Sequence, residues 1–428
     1  MELSVFFAAF VILLALGMPI AFTFLVPGIL YMLLSDTPVV LAAQQMMEPS
    51  QSFVLLAIPL FILAGELMNV GGITDRIFAF ASSAFGHIRG GLGHVNVIAS
   101  MIFSGISGSS AADAAGLGRV EIKAMKEAGY RPEFAAAITA ASSTIGPIIP
   151  PSIGFVLYGA IAEVGVDWLF MAGILPGLLM GFMLMLAIYV QVLIGAEDCP
   201  RTPWPGARTV LIAMWRAAPA LAAPLIIVGG IVTGVFTPTE AGVIAVLFAL
   251  VIGLLSGTIR LHSLVGTLIS AVRSTAAIMF ILASVGVFAW VLTVERVPDL
   301  VAAGMFAVSS KPWIIWLLIL LTLLVLGLFE TASANLLIVT PLLLPIAPAL
   351  GIDTVHLGVV LVFALMVGQI TPPVGITLFI VTEISGLPMG RIVRALIPYV
   401  LAMLVSLLIV TYWPDMVLMV PRLAGYTN

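Results

Sequence analysis

Ser104-Gly105-Ile106-Ser107-Gly108-Ser109-Ser110-Ala111-Ala112-Asp113 and Ser142-Ser143-Thr144-Ile145-Gly146-Pro147 interrupt otherwise apolar sequence, the second running into Pro150-Pro151. Neither suits an unbroken helix. Gly and Pro disfavour one, and clustered Ser offers the backbone local hydrogen bonds instead. In lipid such a break survives only where protein or a water-filled cavity satisfies the freed backbone groups. Small residues that let helices pack closely are the plainer explanation of one such break. A second set favours function. Moved along by 222 residues without a gap, Gly105 meets Gly327, Asp113 meets Asn335 and Gly129 meets Gly351. Gly146 likewise meets Gly368, and Pro150-Pro151 meet Pro372-Pro373. Paired breaks at corresponding places in two halves point to a transporter binding site.

Of the 428 residues, 62% are hydrophobic and 8% charged, with a mean hydropathy of +1.26. A soluble domain carries about a quarter charged residues, so an all-α integral membrane protein is expected almost throughout. No basic patch points to nucleic acid. Cys199 is the only cysteine, which excludes an internal disulfide and suggests no cysteine-based metal site. The start of the chain lacks the positive region of a cleavable signal and is read as part of the first membrane segment. A soluble receptor or ATPase is expected to be a separate chain.

Apolar runs fall at about 3–34, 52–70, 92–122, 134–160 and 168–195, then at 217–256, 274–294, 313–348, 356–382 and 393–413. Pro19 and Pro238 break the first and sixth, each expected to give two short crossings. Runs 92–122 and 313–348 carry polar breaks in their middles and are predicted to be re-entrant hairpins; 134–160 and 356–382 are predicted to be broken helices. The predicted domains are 1–195 and 217–428, two inverted-topology repeats joined by a Pro-rich cytoplasmic linker at 196–216. Ile73–Gly93 and Val297–Pro312 read as interfacial arms. Placing Arg76, Arg89, Arg119, Lys123, Lys126, Arg131, Arg201, Arg208, Arg216, Arg260, Arg273, Arg391 and Arg394 in the cytoplasm satisfies the positive-inside rule for 13 of 16 basic residues. Arg296, Lys311 and Arg422 then lie outside. The first hairpin opens to the cytoplasm and the second to the periplasm, as inverted repeats require.

Oxygen ligands suit a hard cation such as sodium, and broken helices supply carbonyls that attract it. The candidates in the first half are Ser104, Ser107, Gly108, Ser109, Ser110, Asp113, Ser143, Thr144 and Gly146. Those in the second are Glu330, Thr331, Ser333, Asn335, Gly368 and Thr371. Ser142, Pro147, Pro150, Gln369 and Pro372, beside the same breaks, are candidates for substrate contact; Pro373 belongs to the same break. Asp113 is equally an N-cap of the hairpin's second arm. A carboxylate at membrane depth is a functional candidate by default, so Glu330 could shape an ion site or carry a proton. Glu66, near a helix end, reads as a snorkelling side chain. Glu240 reads as a structural or interface carboxylate. Enzymes are disfavoured: His87, His94, His262 and His356 are scattered, no base accompanies the serines, and no P-loop lysine motif occurs. No cofactor is expected.

The run Gly105–Asp113 resembles the hairpin signature of the large membrane subunit of tripartite ATP-independent periplasmic (TRAP) transporters. So do Ser143–Ser152, Thr237-Pro238-Thr239-Glu240-Ala241 and Ile370-Thr371-Pro372-Pro373-Val374-Gly375. Four motifs in order make the resemblance specific, and it covers essentially the whole chain. It implies a multi-pass protein of the bacterial inner membrane that imports an organic acid, a C4-dicarboxylate, sialic acid or other sugar or keto acid, with Na+ as the coupling ion. It implies a small four-helix membrane subunit and a periplasmic substrate-binding protein as partners, and an elevator mechanism in which a part carrying both hairpins moves against a scaffold. Two positions depart from the family pattern. Ala364 stands where many relatives carry Asn, and Gln369 where an aliphatic residue is commoner, which bears on substrate contacts. The alternatives are a binding-protein-independent sodium/anion symporter of similar architecture and a passive ion channel.

Overall fold

In this computed structural model the described residues, 2–197, 199–200, 203–259, 261–372 and 375–427, form helices joined by turns, with no strand among them. Arg201, Arg260 and Pro373 lie outside the described residues. Six helices are long and apolar enough to cross a membrane. The first apolar run is two helices, Glu2–Ala15 and Ile20–Leu34, parted at Gly17 (φ +71°) and Pro19. Likewise Ala207–Val232 and Pro238–Leu255 part at Thr237, whose hydroxyl accepts from the Glu240 backbone N–H while the Glu240 carboxylate accepts from the Thr237 N–H at 2.8 Å. That reciprocal cap gives Glu240 its structural role. The helix from Ala207 begins ten residues before the expected 217 and takes in Arg208 and Arg216, so the linker is shorter than 196–216. Charged residues at a helix's membrane-interface end hide the start of the helix from hydropathy.

Both hairpins form. The first is Gly91–Ser107, then Ser110–Ala115 and Leu117–Glu127, running five residues beyond the expected 122 because its last turns are amphipathic. The second is Pro312–Gly327 and Ala332–Leu343. The broken helices are Pro132–Ser143 with Ile153–Ala162, and Thr354–Gly368 with Ile376–Ser385. Long helices follow each, Val166–Leu193 and Met389–Tyr412. The helices Gly91–Ser107, Pro132–Ser143, Ile153–Ala162 and Val166–Leu193, shifted by 222, fall on second-half helices within three residues at every end. The helix Ile73–Phe85 and its second-half counterpart Val297–Val308 match as closely.

The helices fall into two packing groups. Glu2–Ala15, Ile20–Leu34, Ala57–Val70, Ala207–Val232, Pro238–Leu255 and Leu261–Val294 pack on one another. The hairpins, broken helices, Val166–Leu193 and Met389–Tyr412 form the other, with Ile73–Phe85 and Val297–Val308 touching both. Within the second group the halves interlock. Ala332–Leu343 of the second hairpin packs on Ile153–Ala162, and Ser110–Ala115 of the first packs on Ile376–Ser385. Each hairpin thus leans on the other half's broken helix.

Candidate functional site

The first tip is built around Asp113, 1% exposed. The turn needs Gly108, whose φ of +58° is left-handed and whose Cβ, if present, would stand 2.6 Å from the Pro151 carbonyl. The Ile153 N–H donates to the Gly108 carbonyl at 3.4 Å, which docks the tip onto the broken helix. Ser109, not Asp113, is the N-cap: its Oγ accepts from Ala112 N–H at 3.4 Å. Asp113 sits in the first turn and reaches back across the tip. It accepts from Ser107 Oγ, and Ser104 Oγ lies 3.4 Å from its Oδ2 while also 2.6 Å from the Ser100 carbonyl. A Cβ on Gly146 would sit 2.9 Å from Asp113 Oδ2, so the hairpin acid lies directly over the break in Pro132–Ser143. Among the described residues no Lys, Arg or His pairs with Asp113. Burying an ionised carboxylate this way is costly unless a cation or proton accompanies it.

Ser143 and Thr144 donate to the Ala140 and Ala141 carbonyls at 2.9 and 2.6 Å, capping their own helix end, which leaves their hydroxyl lone pairs and the broken turn's carbonyls as oxygen donors. Ser142 is engaged within the first half's helices: it donates to Asn96 Oδ1 at 2.6 Å and accepts from Ser100 Oγ at 3.1 Å. Pro150 is buried, joined to Pro151 by a cis peptide bond, and lines neither of the cavities described below.

The second tip repeats the plan with different chemistry. Thr331 is its N-cap, accepting from Ala334 N–H at 3.3 Å. Asn335, the counterpart of Asp113, reaches back over the same nine residues, but its Nδ2 donates to the Leu326 carbonyl at 3.0 Å and lies 3.4 Å from the Glu330 carbonyl. In the first tip the near partner is the Ser107 hydroxyl, which gives a hydrogen; in the second it is the Leu326 carbonyl, which needs one. The acid and the amide follow from that. Gly375, the counterpart of Ile153, donates its N–H to Leu328 O at 3.1 Å. A Cβ on Gly327 would stand 2.9 Å from Gly368 Cα, so the hairpin and broken-helix backbones touch there. Thr371 Oγ1 donates to Val367 O at 2.7 Å, Glu330 is half-buried without an ion-pair partner among the described residues, and Pro372 is exposed.

Residues 7–416 match the family model described as the DctM component of tripartite ATP-independent periplasmic transporters. The chain belongs to that family. It is 40% identical to the sialic acid TRAP transporter large permease protein SiaM of Vibrio cholerae over 97% of each chain. It is also 40% identical to the C4-dicarboxylate TRAP transporter large permease protein DctM of Pseudomonas aeruginosa over 90% of each. The solved YdaH transporter of Alcanivorax borkumensis superposes with a TM-score of 0.59 at 14% identity, covering 87% of both chains, a likeness of fold alone. This DctM-family chain is therefore a transporter component of the inner membrane.

Between its two tips lies a cavity of about 230 Å3 into which Gly108, Ser109, Ser110, Pro147, Thr331, Ser333 and Gln369 face. Gln369, 5% exposed, accepts from Ser110 Oγ at 2.8 Å across the two halves. A second cavity of about 420 Å3 adjoins it between Ala57–Val70 and the first hairpin, and the two share Ser109, Ala111, Ile153 and Ile278. Sequence reading missed the polar chain behind the first tip. Asn96 Nδ2 donates to Thr139 Oγ1 at 2.7 Å, and Thr139 donates to Glu121 Oε2 at 3.4 Å, leaving the buried Glu121 Oε1 without a partner among the described residues. A signal existed: Asn96, Ser100 and Ser104 recur every four residues, one face of a helix.

Proposed function

We propose that this chain is the sodium-coupled transport subunit of a tripartite importer of a small organic acid. The observation that carries the reading is Asp113: a buried carboxylate that meets hydroxyls and the broken turn at Gly146 but, among the described residues, no basic side chain. A bound sodium ion would balance its charge. Ser104 and Ser107 meet it with hydroxyls, and Gly146 beside it brings up the broken turn with the Ser143 carbonyl; Gly108, Ser110 and Thr144, from the same two breaks, would add further oxygens, the donors a hard cation takes. A second ion at Glu330, Thr331, Ser333, Asn335, Gly368 and Thr371 follows by the repeat. The substrate would sit in the cavity between the tips, where the helices Ile153–Ala162 and Ala332–Leu343 begin and direct their positive ends to an anion.

In this reading the two halves are inverted repeats, supported by the helix boundaries that agree after a shift of 222 residues and by the basic residues that sort to one side. The second packing group is the moving part and the first the scaffold. A small membrane subunit and a periplasmic binding protein complete the importer, and no enzymatic step is assigned. The sialic acid and C4-dicarboxylate relatives set the range of substrates. In proteoliposomes holding all three components, uptake is expected to need an inward sodium gradient and no ATP. Undiminished uptake with potassium or choline in place of sodium refutes it.

A further inference from the structure

Among the described residues lining the two adjoining cavities there is a single cation, Arg119, and a single carboxylate, Glu66, both in the 420 Å3 cavity, and no ionisable side chain in the cavity between the tips. Arg119 makes no hydrogen bond or ion pair among the described residues. Asn69, on the same helix face as Glu66, accepts from Thr74 Oγ1 at 3.2 Å through Oδ1. Its amide lies against the lining, since a Cβ on Gly116, itself a lining residue, would stand 3.3 Å from Nδ2 and 3.4 Å from Oδ1, and with Oδ1 engaged the Nδ2 hydrogens are the group left to donate. Glu66 is held from the side, accepting from Ser270 Oγ at 3.1 Å. These partners fix Asn69 and Glu66 beside the space that the exposed Arg119 also lines.

We propose that Arg119 and Asn69 hold the substrate's acid group in this cavity and that Glu66 makes the transporter select acids with a single negative charge. The proposal rests on the organic-acid reading above and names its substrate class. An anion entering the cavity gains from a compensating charge, and beyond the helix ends that face the space between the tips, the guanidinium fork of the exposed Arg119 is the one positive side chain among the described lining residues. A small acid that reaches Arg119 also faces Glu66. A hydroxyl or amide of the substrate can donate to that carboxylate, whereas a second carboxylate is repelled by it. A hydroxylated monocarboxylate of the sialic acid type fits; a C4-dicarboxylate does not.

The test is thermal stability of the purified full-length chain titrated with N-acetylneuraminate and with succinate, in the same sodium buffer. N-acetylneuraminate is expected to raise the melting temperature at lower concentration than succinate. Arg119→Gln should raise the N-acetylneuraminate concentration for half the effect at least tenfold, with Arg119→Lys intermediate. Glu66→Gln should lower the succinate concentration at least fivefold, a gain that misfolding cannot produce. Unliganded melting temperatures serve as the check on folding. Succinate acting on the unaltered chain as well as N-acetylneuraminate overturns the charge selection. Titrations unmoved by Arg119→Gln or by Glu66→Gln overturn the roles of those residues. If neither acid stabilises the unaltered chain, the organic-acid reading falls and this site with it.

Discussion

Asp113 and Asn335 occupy the same place in the two hairpins and do opposite chemistry. Asp113 is not the cap of its helix, so replacing it by Asn removes a charge without removing a cap, Ser109 being in place. If that charge helps to hold sodium, Asp113→Asn raises the sodium concentration for half-maximal transport at least fivefold, a loss of about 1 kcal/mol. A sodium titration at matched expression checks it, and an unchanged curve leaves binding to hydroxyls and carbonyls. Asn335→Asp behaves differently. Its Nδ2 donates to Leu326 O at 3.0 Å, and an ionised carboxylate has no hydrogen to give. The stranded carbonyl and the new charge are expected to destabilise the tip by about 1–3 kcal/mol, so the melting temperature falls while sodium affinity is spared. The residue types of this site were legible in the sequence because breaks in apolar runs stand out. The partners were not. Asn96, Thr139 and Glu121 sit in helical sequence without a break, and only the packing of Gly91–Ser107 and of Leu117–Glu127 on Pro132–Ser143 brings them together.

At the level of elements, hairpins and broken helices could be read from Gly and Pro, and both pairs form where those residues fall. The ends were less legible, because polar turns beyond the membrane, as in Leu117–Glu127 and Ala207–Val232, leave the apolar pattern while remaining helix. The glycines of the second half have a measurable role. Gly327 and Gly368 touch backbone to backbone, and neither chain can yield as a flexible side chain would. Gly327→Ala is therefore expected to cost about 1–3 kcal/mol, read as a lower melting temperature, with reduced transport. By contrast Gly351, the repeat mate of Gly129, has open space around its Cβ position but a φ of +64°, so Ala there acts through backbone strain alone. Orientation is a prediction at this scale too. Lys123 and Lys311 are exposed and flank different hairpins. Each replaced by Cys in a Cys199→Ala background, the first should label only from the cytoplasm and the second only from the periplasm. Labelling from one face refutes the inverted arrangement.

For the whole molecule, what holds the two halves together bears on whether either could exist alone. The sequence repeat suggests two similar units, and a unit with its own core would fold by itself. The packing argues against that. Ile153–Ala162 is covered by Ala332–Leu343, and Ile376–Ser385 by Ser110–Ala115. Tyr158 Oη donates to the Thr354 carbonyl at 2.6 Å, and Ser110 to Gln369 at 2.8 Å, each bond crossing between halves. Separated, each half would expose small, glycine-bearing helix faces shaped for the other and leave broken-helix backbone without its cover, which lipid cannot replace. The connection between them needs no such cover, since Pro203 to Gly206 is irregular and mostly exposed. We therefore expect the chain divided between Pro203 and Gly206 and co-expressed as two pieces to assemble and to keep transport within a few-fold of the intact chain. Either piece alone should be recovered only at low yield and as aggregate. Size-exclusion chromatography of the separate and co-expressed pieces decides it. A single half that elutes as one sharp, thermally cooperative species would mean that the interlock is incidental and that each repeat carries its own fold.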